Sequence, residues 1–400
     1  MSVWWSAVCA CIGAWTGSRD DVTLSRPPPV VFRVSQWTDG NVKLCHPTSI
    51  LSESTMFTAS PIAVTRVRFD TNFDLPGIAF CAAPGDESHP WIVGSSDTQL
   101  YRVDISSEKP KAEPIPDSKH ISYVTGVVRS GDTVISGGYD RHLVWRQAES
   151  GEVRQRVENA HASWIRELSL SPDGQTLATV GDDMLTCLWS VADGKKTEEY
   201  KGYDLKTPHG YPSMLYTVAW SPDGKFLATG NKTGQVLIRD SSSGEVAAKL
   251  ETPVMYTWDP KARRHSIGGI RSLAFSPDGQ MLAVGGMGKV GNIDHLGGKG
   301  RVEVFDWQKN ERRFEIEDDK FKGLAEKLQF GPDGSWLAIG GGDHGGFVSI
   351  YNMSDGKVLA QEKAPMHIHD LWLQPDGVSV VAVGHGKGTI ASLADKSPEE

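Results

Sequence analysis

Five times along the chain the same short phrase comes back, as Ser171-Pro172-Asp173-Gly174, Ser221-Pro222-Asp223-Gly224 and Ser276-Pro277-Asp278-Gly279, with variants at Gly331 to Gly334 and Gln374 to Gly377. Successive prolines lie 50, 55, 55 and 43 residues apart. A unit of that length is too small to bury a core by itself, so its repetition demands stacking on neighbours. Proline presets the backbone angle at the second turn position, aspartate bonds its own backbone, and glycine accepts positive φ, so the phrase is a tight turn.

Its flanks make it a hairpin. Leu168-Ser169-Leu170, Val218-Ala219-Trp220, Leu273-Ala274-Phe275, Leu328-Gln329-Phe330 and Leu371-Trp372-Leu373 precede it with the period-2 alternation of a strand. Leu177-Ala178-Thr179, Leu227-Ala228-Thr229, Leu282-Ala283-Val284 and Leu337-Ala338-Ile339 follow it, small and branched as a strand packed on both faces requires. A third strand continues each unit, as at Thr186 to Trp189 and Gln235 to Arg239, and a second turn such as Ser242-Ser243-Gly244-Glu245 leads to a short outer strand. Four antiparallel strands in roughly 40 residues form the blade of an all-β propeller, whose ring closure protects strand edges.

At individual positions the chain resembles the WD-40 repeat family. His161, Thr179, Asp183 and Trp189 stand at the family's spacings around Ser171, and His120, Ser136, Asp140 and Trp145 repeat the set with Trp one residue early. The resemblance implies that each set is a buried hydrogen-bonded chain that staples the loop entering a blade to its second and third strands, a structural role that demands every member be satisfied. The remaining units depart from it, with Thr233 and Arg239, Phe305, Tyr351 and Leu393 in the Asp and Trp places. The dense Ser-Pro-Asp-Gly turns are similar in style to bacterial members of the family.

The expectation is one seven-bladed propeller over residues 30–395, with blades near 62–105, 120–158, 161–200, 213–251, 268–317, 324–362 and 367–395. In the first, Val67-Arg68-Phe69 reads as first strand and Trp91-Ile92-Val93 as second. The last lacks a fourth strand, and the resemblance implies that an amino-terminal strand closes the ring, for which residues 50–57 are the candidate. Residues 1–29, uncharged up to Ser18 and stiffened by Arg26-Pro27-Pro28-Pro29, read as a disordered tail or a start placed too far upstream, and 396–400 as a second tail. The first basic residue, Arg19, comes after the apolar part, against the order of an export signal, so a cytoplasmic setting is expected over export. That segment is also too short and too rich in small residues for a membrane span.

Composition bears on partners. With 41 basic and 50 acidic residues the net charge is -9, which opposes unspecific attraction to nucleic acid or an anionic membrane. Five cysteines with no C-x-x-C pair imply neither a disulfide framework nor a structural zinc site. Hydrolase elbows, zincin and haem motifs and phosphate loops are absent from the sequence; Gly384 to Thr389 imitates the last but leads into a strand, where a phosphate needs a helix N-terminus. No cofactor is expected.

Two groups of residues bear on function. Asp294, His295, Asp343, His344 and His385 fall in the same inter-strand loop of three successive blades, with His367 and His369 ahead of the last. Were they to converge near the axis they would suit a divalent metal, and the molecule would be a metal-assisted hydrolase or lactonase. Against that stands the accumulation of extra sequence at 201–212, 251–267 and 287–300, on loop types that emerge on one face of this fold. These inserts carry Tyr203, Tyr211, Tyr256, Trp258, Arg263 and Arg264, residue types common at binding hot spots. The leading expectation is therefore a non-catalytic scaffold that meets a protein partner through this face, as a single ring or a subunit of a complex.

Overall fold

The chain divides into Met1–Phe57 and Thr58–Glu400. The computed structural model describes residues 64–394, apart from 86–88, 262–263 and 292–297, so the described part lies in the second unit. It contains 28 antiparallel strands and, as its helical content among the described residues, one 3-10 turn at Pro253–Met255.

The strands form six main sheets and one small hairpin, Tyr256–Asp259 with His265–Gly268. Five sheets have four strands each, taken in sequence order from the inside outward, for example Val124–Ser130, Thr133–Gly138, Leu143–Gln147 and Val153–Val157. The inner strands pack on one another in a closed circuit, Arg68–Ala83 on Val124–Ser130, then Ile165–Leu170, Leu215–Trp220, Ile270–Phe275, Leu324–Phe330 and Ile368–Leu373, which returns to Arg68–Ala83. They surround a central cavity of about 920 Å³. This is a β-propeller with four-stranded antiparallel blades.

The sheets number six where seven were expected, because the first and last units share one. Its order is Ile368–Leu373, Ser379–Ser392, Arg68–Ala83, Trp91–Ser95, Leu100–Val103 and Ala112–Pro114. Arg68 to Asp74 pairs with Lys387 to Ser392, whereas Ala79 to Ala83 pairs with Ile92 to Ser95. Between the two registers the chain turns at Pro76-Gly77, where Gly77 has φ of 67° and a Cβ would lie 2.7 Å from Ser96 Oγ. Val67-Arg68-Phe69 is thus not the first partner of Trp91-Ile92-Val93; Ala79 to Ala83 takes that place. Sequence pattern does not distinguish the two stretches, because both halves of this 16-residue strand carry an apolar face, Phe73 and Leu75 being buried like Ala82. The segment 50–57 lies outside the described residues, and the strand that covers the outer edge of Lys387 to Ser392 is Arg68 to Asp74.

The repeated turn works as its residues dictate. Ser171 Oγ donates to Asp173 Oδ1 (2.5 Å) and accepts from Thr176 N (2.9 Å), while Asp173 Oδ1 also accepts from Gln175 N at 3.0 Å. Ser221 and Ser276 repeat this with Asp223 and Asp278, so turn donors are satisfied locally.

Around the axis, side chains of one inner strand satisfy the backbone of the next. Thr125 Oγ1 donates to Ile165 O (2.7 Å), Glu167 Oε2 accepts from Val218 N (2.9 Å), Ser272 Oγ from Leu328 N (3.0 Å) and Asp370 Oδ2 from Ala82 N (2.9 Å). Lys327 Nζ reaches across the cavity to Glu167 Oε1 at 3.2 Å while also meeting Asp370 Oδ1 at 3.3 Å. Burial alone would lower the Lys327 pKa, but Asp370 and Glu167 outweigh it and raise it, so the ammonium stays charged.

Two outcomes are expected. A chain starting at Gly77 should melt at lower temperature and less cooperatively than one starting at Val64, because only the latter keeps the strand on Lys387 to Ser392; calorimetry of both checks this. Lys327→Met should cost about 3 kcal/mol in urea unfolding by leaving the buried Asp370 and the partly buried Glu167 carboxylates uncompensated, and Glu167→Gln, which retains an acceptor for Val218 N–H, should cost less.

Candidate functional site

Each of the seven inner strands is interrupted at one position, where its register with the second strand shifts, at Phe80, Thr125, Arg166, Tyr216, Arg271, Glu326 and His369. A bulge leaves one residue unpaired and re-aims its side chain. All seven line the central cavity. They are at one end of it, because in four repeats the turn after the second strand bonds back to the loop that enters the inner strand: Tyr139 N to Tyr123 O (3.0 Å), Asp182 N to Trp164 O (2.9 Å), Lys232 N to Met214 O (2.8 Å) and His385 N to His367 O (3.1 Å).

Half of this annulus is an aromatic and guanidinium ladder. His369 meets Phe80 edge-on at 5.1 Å, Phe80 leads to Tyr123 (5.7 Å) and Tyr139 (5.6 Å from Tyr123), and Tyr139 stacks on Trp164 at 4.3 Å and 6°. Arg166 lies over Tyr139, Trp164 and Tyr216, and Arg271 also covers Tyr216, at 3.8 Å. Asp182 grips Arg166 with two bonds of 2.7 Å, so the pKa of Arg166 is raised although burial works against it. Arg271 Nη1 is buried with no hydrogen-bond partner.

The two stapling sets hold the loops that enter this ladder. His161 Nε2 meets Thr179 Oγ1 (2.8 Å), its Nδ1 meets Asp183 (3.0 Å), and Trp189 Nε1 donates to Thr179 Oγ1 (2.9 Å); Asp183 also accepts from Ala162 N at 2.8 Å. His120 bonds Asp140 and Ser136, both at 2.8 Å, and Ile121 N donates to Asp140 (3.0 Å). Burial would raise the Asp140 and Asp183 pKa values, but the bonds from histidine and backbone N–H groups prevail and lower them. The loops so held present Ile121 (77% exposed), Tyr123 and Trp164 (each 44%).

Trp145 is not part of its set. Its indole donates to Val191 O of the next sheet at 3.0 Å, and the register position that Trp189 holds opposite Leu177 is held here, opposite Val134, by Arg146, fully buried, with Nη1 donating to Asp117 O at 3.1 Å. The single-residue offset of Trp145 signals this, since adjacent strand residues point to opposite faces. In the fourth repeat Tyr203 does what histidine does elsewhere: its hydroxyl donates to Thr229 O (2.7 Å), lies 2.9 Å from Thr229 Oγ1 and accepts from Leu237 N (2.9 Å). Burial raises its pKa, and this hydroxyl is unavailable to a partner.

The three inserts meet. Tyr211 of the first donates to Asp259 O of the second (3.2 Å), His209 stacks on Trp258 at 3.7 Å and lies beside Tyr256 at 5.7 Å, and Val290 N of the third donates to Thr257 Oγ1 (3.3 Å). Trp258 remains 40% exposed, Leu205 of the first insert 65%, and Arg264 is exposed with φ of 53°. Arg263, Asp294 and His295 lie outside the described residues. His344 is 89% exposed and pairs with its neighbour Asp343 at 3.0 Å. The histidines that converge, among the described residues, are His367, His369 and His385. Burial pushes His369 down to about 4, and Glu326 beside it is held low by His367, His369 and Arg271 against the opposing effect of its burial.

Comparison with protein families matches residues 153–190 and 260–290 to the WD domain, G-beta repeat, and residues 212–261 to the Anaphase-promoting complex subunit 4 WD40 domain. Three stretches of the chain are thus similar to WD40 repeats. Among curated relatives it is 27% identical over 244 residues to eukaryotic translation initiation factor 3 subunit I of Coccidioides immitis, a match covering 59% of this chain and 64% of that one. It is 26% identical over 226 residues to a chromatin assembly factor 1 subunit of Mus musculus (50% and 38% covered) and 27% identical over 203 residues to meiotic recombination protein rec14 of Schizosaccharomyces pombe (49% and 59%). The chain therefore spans less than two thirds of each relative's length. These WD40 relatives are eukaryotic, which overturns the bacterial affiliation suggested by the style of the turns.

For the WD40 staple of the third repeat, Asp183→Ala should cost about 1–3 kcal/mol at pH 7 by orphaning buried donors. The native carboxyl titrates below the ordinary value, so the wild-type advantage is present above about pH 3.9 and fades as pH falls through the depressed native pKa. Urea unfolding of both proteins between pH 7 and 3 should show the gap narrow.

Proposed function

We propose that this chain is a non-catalytic WD40 scaffold that binds a protein partner at the end of the ring where the bulge residues, the entering loops and the three inserts come together. The observation that carries this reading is the distribution of exposed apolar side chains. Among the described residues Ile121, Tyr123, Trp164, Leu205, Val254 and Trp258 are exposed, and all lie on loops or inserts of this end; the other large exposed ones, Val153, Val246, Val358 and Leu359, are isolated on outermost strands. Aromatic groups held rigid by stacking beside the half-buried Arg166 and Arg271 match the composition of binding hot spots, and the scaffold contributes the rigidity that loops alone lack.

The same proposal covers the finer points. The six-stranded sheet is two blades joined through Arg68–Ala83, giving a ring of seven. Relatives whose names describe subunits of a translation initiation factor and of a chromatin assembly factor favour an assembly role over the hydrolase alternative. No described helix is long and apolar enough to cross a membrane, and a non-exported setting is part of the reading.

The test is quantitative affinity purification from the native cell with the full chain. Replacing Tyr123, Trp164 and Trp258 together by alanine should remove the specific co-purifying partner, with affinity for that partner falling at least about 30-fold. Val246→Ser with Val358→Ser on the outermost strands should leave it bound. Equal loss in both variants, or retention in the first, overturns the assignment of the face.

A further inference from the structure

His367, His369 and His385 come from two neighbouring stretches of the last repeat, the start of Ile368–Leu373 and the reversal within Ser379–Ser392. A ring nitrogen of each lies within 4.8 Å of those of the other two. The ring centroids are 4.6, 4.9 and 5.0 Å apart. Three imidazoles bound at about 2.1 Å to one tetrahedral ion place their nitrogens about 3.4 Å apart, so small side-chain rotations close the observed gap.

Two details go beyond proximity. His367 Nδ1 is 2.8 Å from Asp343 O, an acceptor, so Nδ1 carries the proton and Nε2 offers its lone pair to the cluster. That is the arrangement by which a backbone carbonyl orients a ligating histidine. Second, Nε2 of His369 is buried and makes no hydrogen bond, and the equally buried Nε2 of His367 has Glu326 as its nearest partner, beyond hydrogen-bond distance. A buried polar atom without a partner is costly, and an ion held between the two histidines would satisfy His369 Nε2 while keeping the Glu326 charge beside it compensated. The carboxylate of Glu326, with Oε1 3.6 Å from His367 Nε2, adds negative charge beside that space.

We propose that His367, His369 and His385 form a binding site for a divalent first-row transition ion of the zinc type, with Glu326 as the adjacent carboxylate. Nitrogen donors select such an ion over calcium or magnesium, which take oxygen ligands. His385 is exposed, so the site opens to the mouth of the central cavity and the ion enters from solvent. These are three histidines of the group that the sequence singles out, without the pair at Asp343 and His344, since His344 lies in solvent and Asp343 contributes its carbonyl. Bound there, the ion would tie Ile368–Leu373 to the turn of its own hairpin and, through Glu326, to Leu324–Phe330.

The experiment uses the full chain without an oligohistidine tag, stripped with chelator and titrated with Co2+ followed by Zn2+. One equivalent of Co2+ should give the visible absorption of a four- or five-coordinate nitrogen site, and Zn2+ should displace it and raise the melting temperature. His385→Ala, at an exposed position that folding tolerates, should lose the spectrum and weaken Zn2+ binding at least tenfold, as should His369→Ala; His344→Ala should retain both. Absence of stoichiometric binding by wild type overturns the proposal in favour of a plain His367 and Glu326 ion pair. Equal loss in His344→Ala, or full retention in His385→Ala, overturns it as well and assigns the ion to another part of the chain. Partner capture is read separately, so failure here leaves the scaffold reading standing.

Discussion

One strand belongs to two neighbours. Arg68 to Asp74 completes the last repeat and Ala79 to Ala83 begins the first, with a single turn at Pro76-Gly77 between them. A stack of sheets that cannot fold individually has two terminal faces, and a linear array would have to cap both with polar residues. Here the same covalent chain joins the ends, so Phe73, Leu75 and Val381 share one buried cluster with Trp91 and Val93. The inner circuit, the cavity it encloses and the alignment of loops at one end all require that this join hold.

The axis is where the join is reinforced electrostatically. Lys327 in one repeat meets Asp370 in the next and Glu167 far around the ring, and each of those carboxylates accepts a backbone N–H from yet another inner strand. Desolvation penalises such groups, and the arrangement offsets it by giving every carboxylate oxygen a donor. It also sets register, since Glu167 and Asp370 reach their partners only if neighbouring inner strands stand at the right height.

Much of the fold was legible because turn chemistry is local. Ser171, Pro172, Asp173 and Gly174 satisfy each other within a few residues, so the phrase means the same thing wherever it is written. The third-repeat staple was legible for a similar reason, fixed spacing from that turn. What escaped was non-local: the pairing of Arg68 and Phe69 with Ser392 and Ala391 rather than with the strand of Trp91, the replacement of Trp145 by Arg146 in its set, and the inward turn of Tyr203 in an insert that composition alone marks as a binding loop. The bulge residues did leave a trace. Thr125, Arg166, Tyr216, Arg271, Glu326 and His369 each stand five positions before the first residue of a turn, a periodicity hidden because the residue types at those positions share no chemistry.

That variety of residue types has a structural basis. Because a bulged residue is released from the ladder, its identity is decoupled from the packing of the blade behind it, and Phe80, Thr125, Arg166, Tyr216, Arg271, Glu326 and His369 occupy equivalent stations without disturbing their sheets. The ring thus presents seven chemically varied side chains at one recurring station of an otherwise repeated frame. Those that also bond a neighbour, as Thr125 does with Ile165 O and Arg166 with Asp182, tie the lining of the cavity to the frame around it.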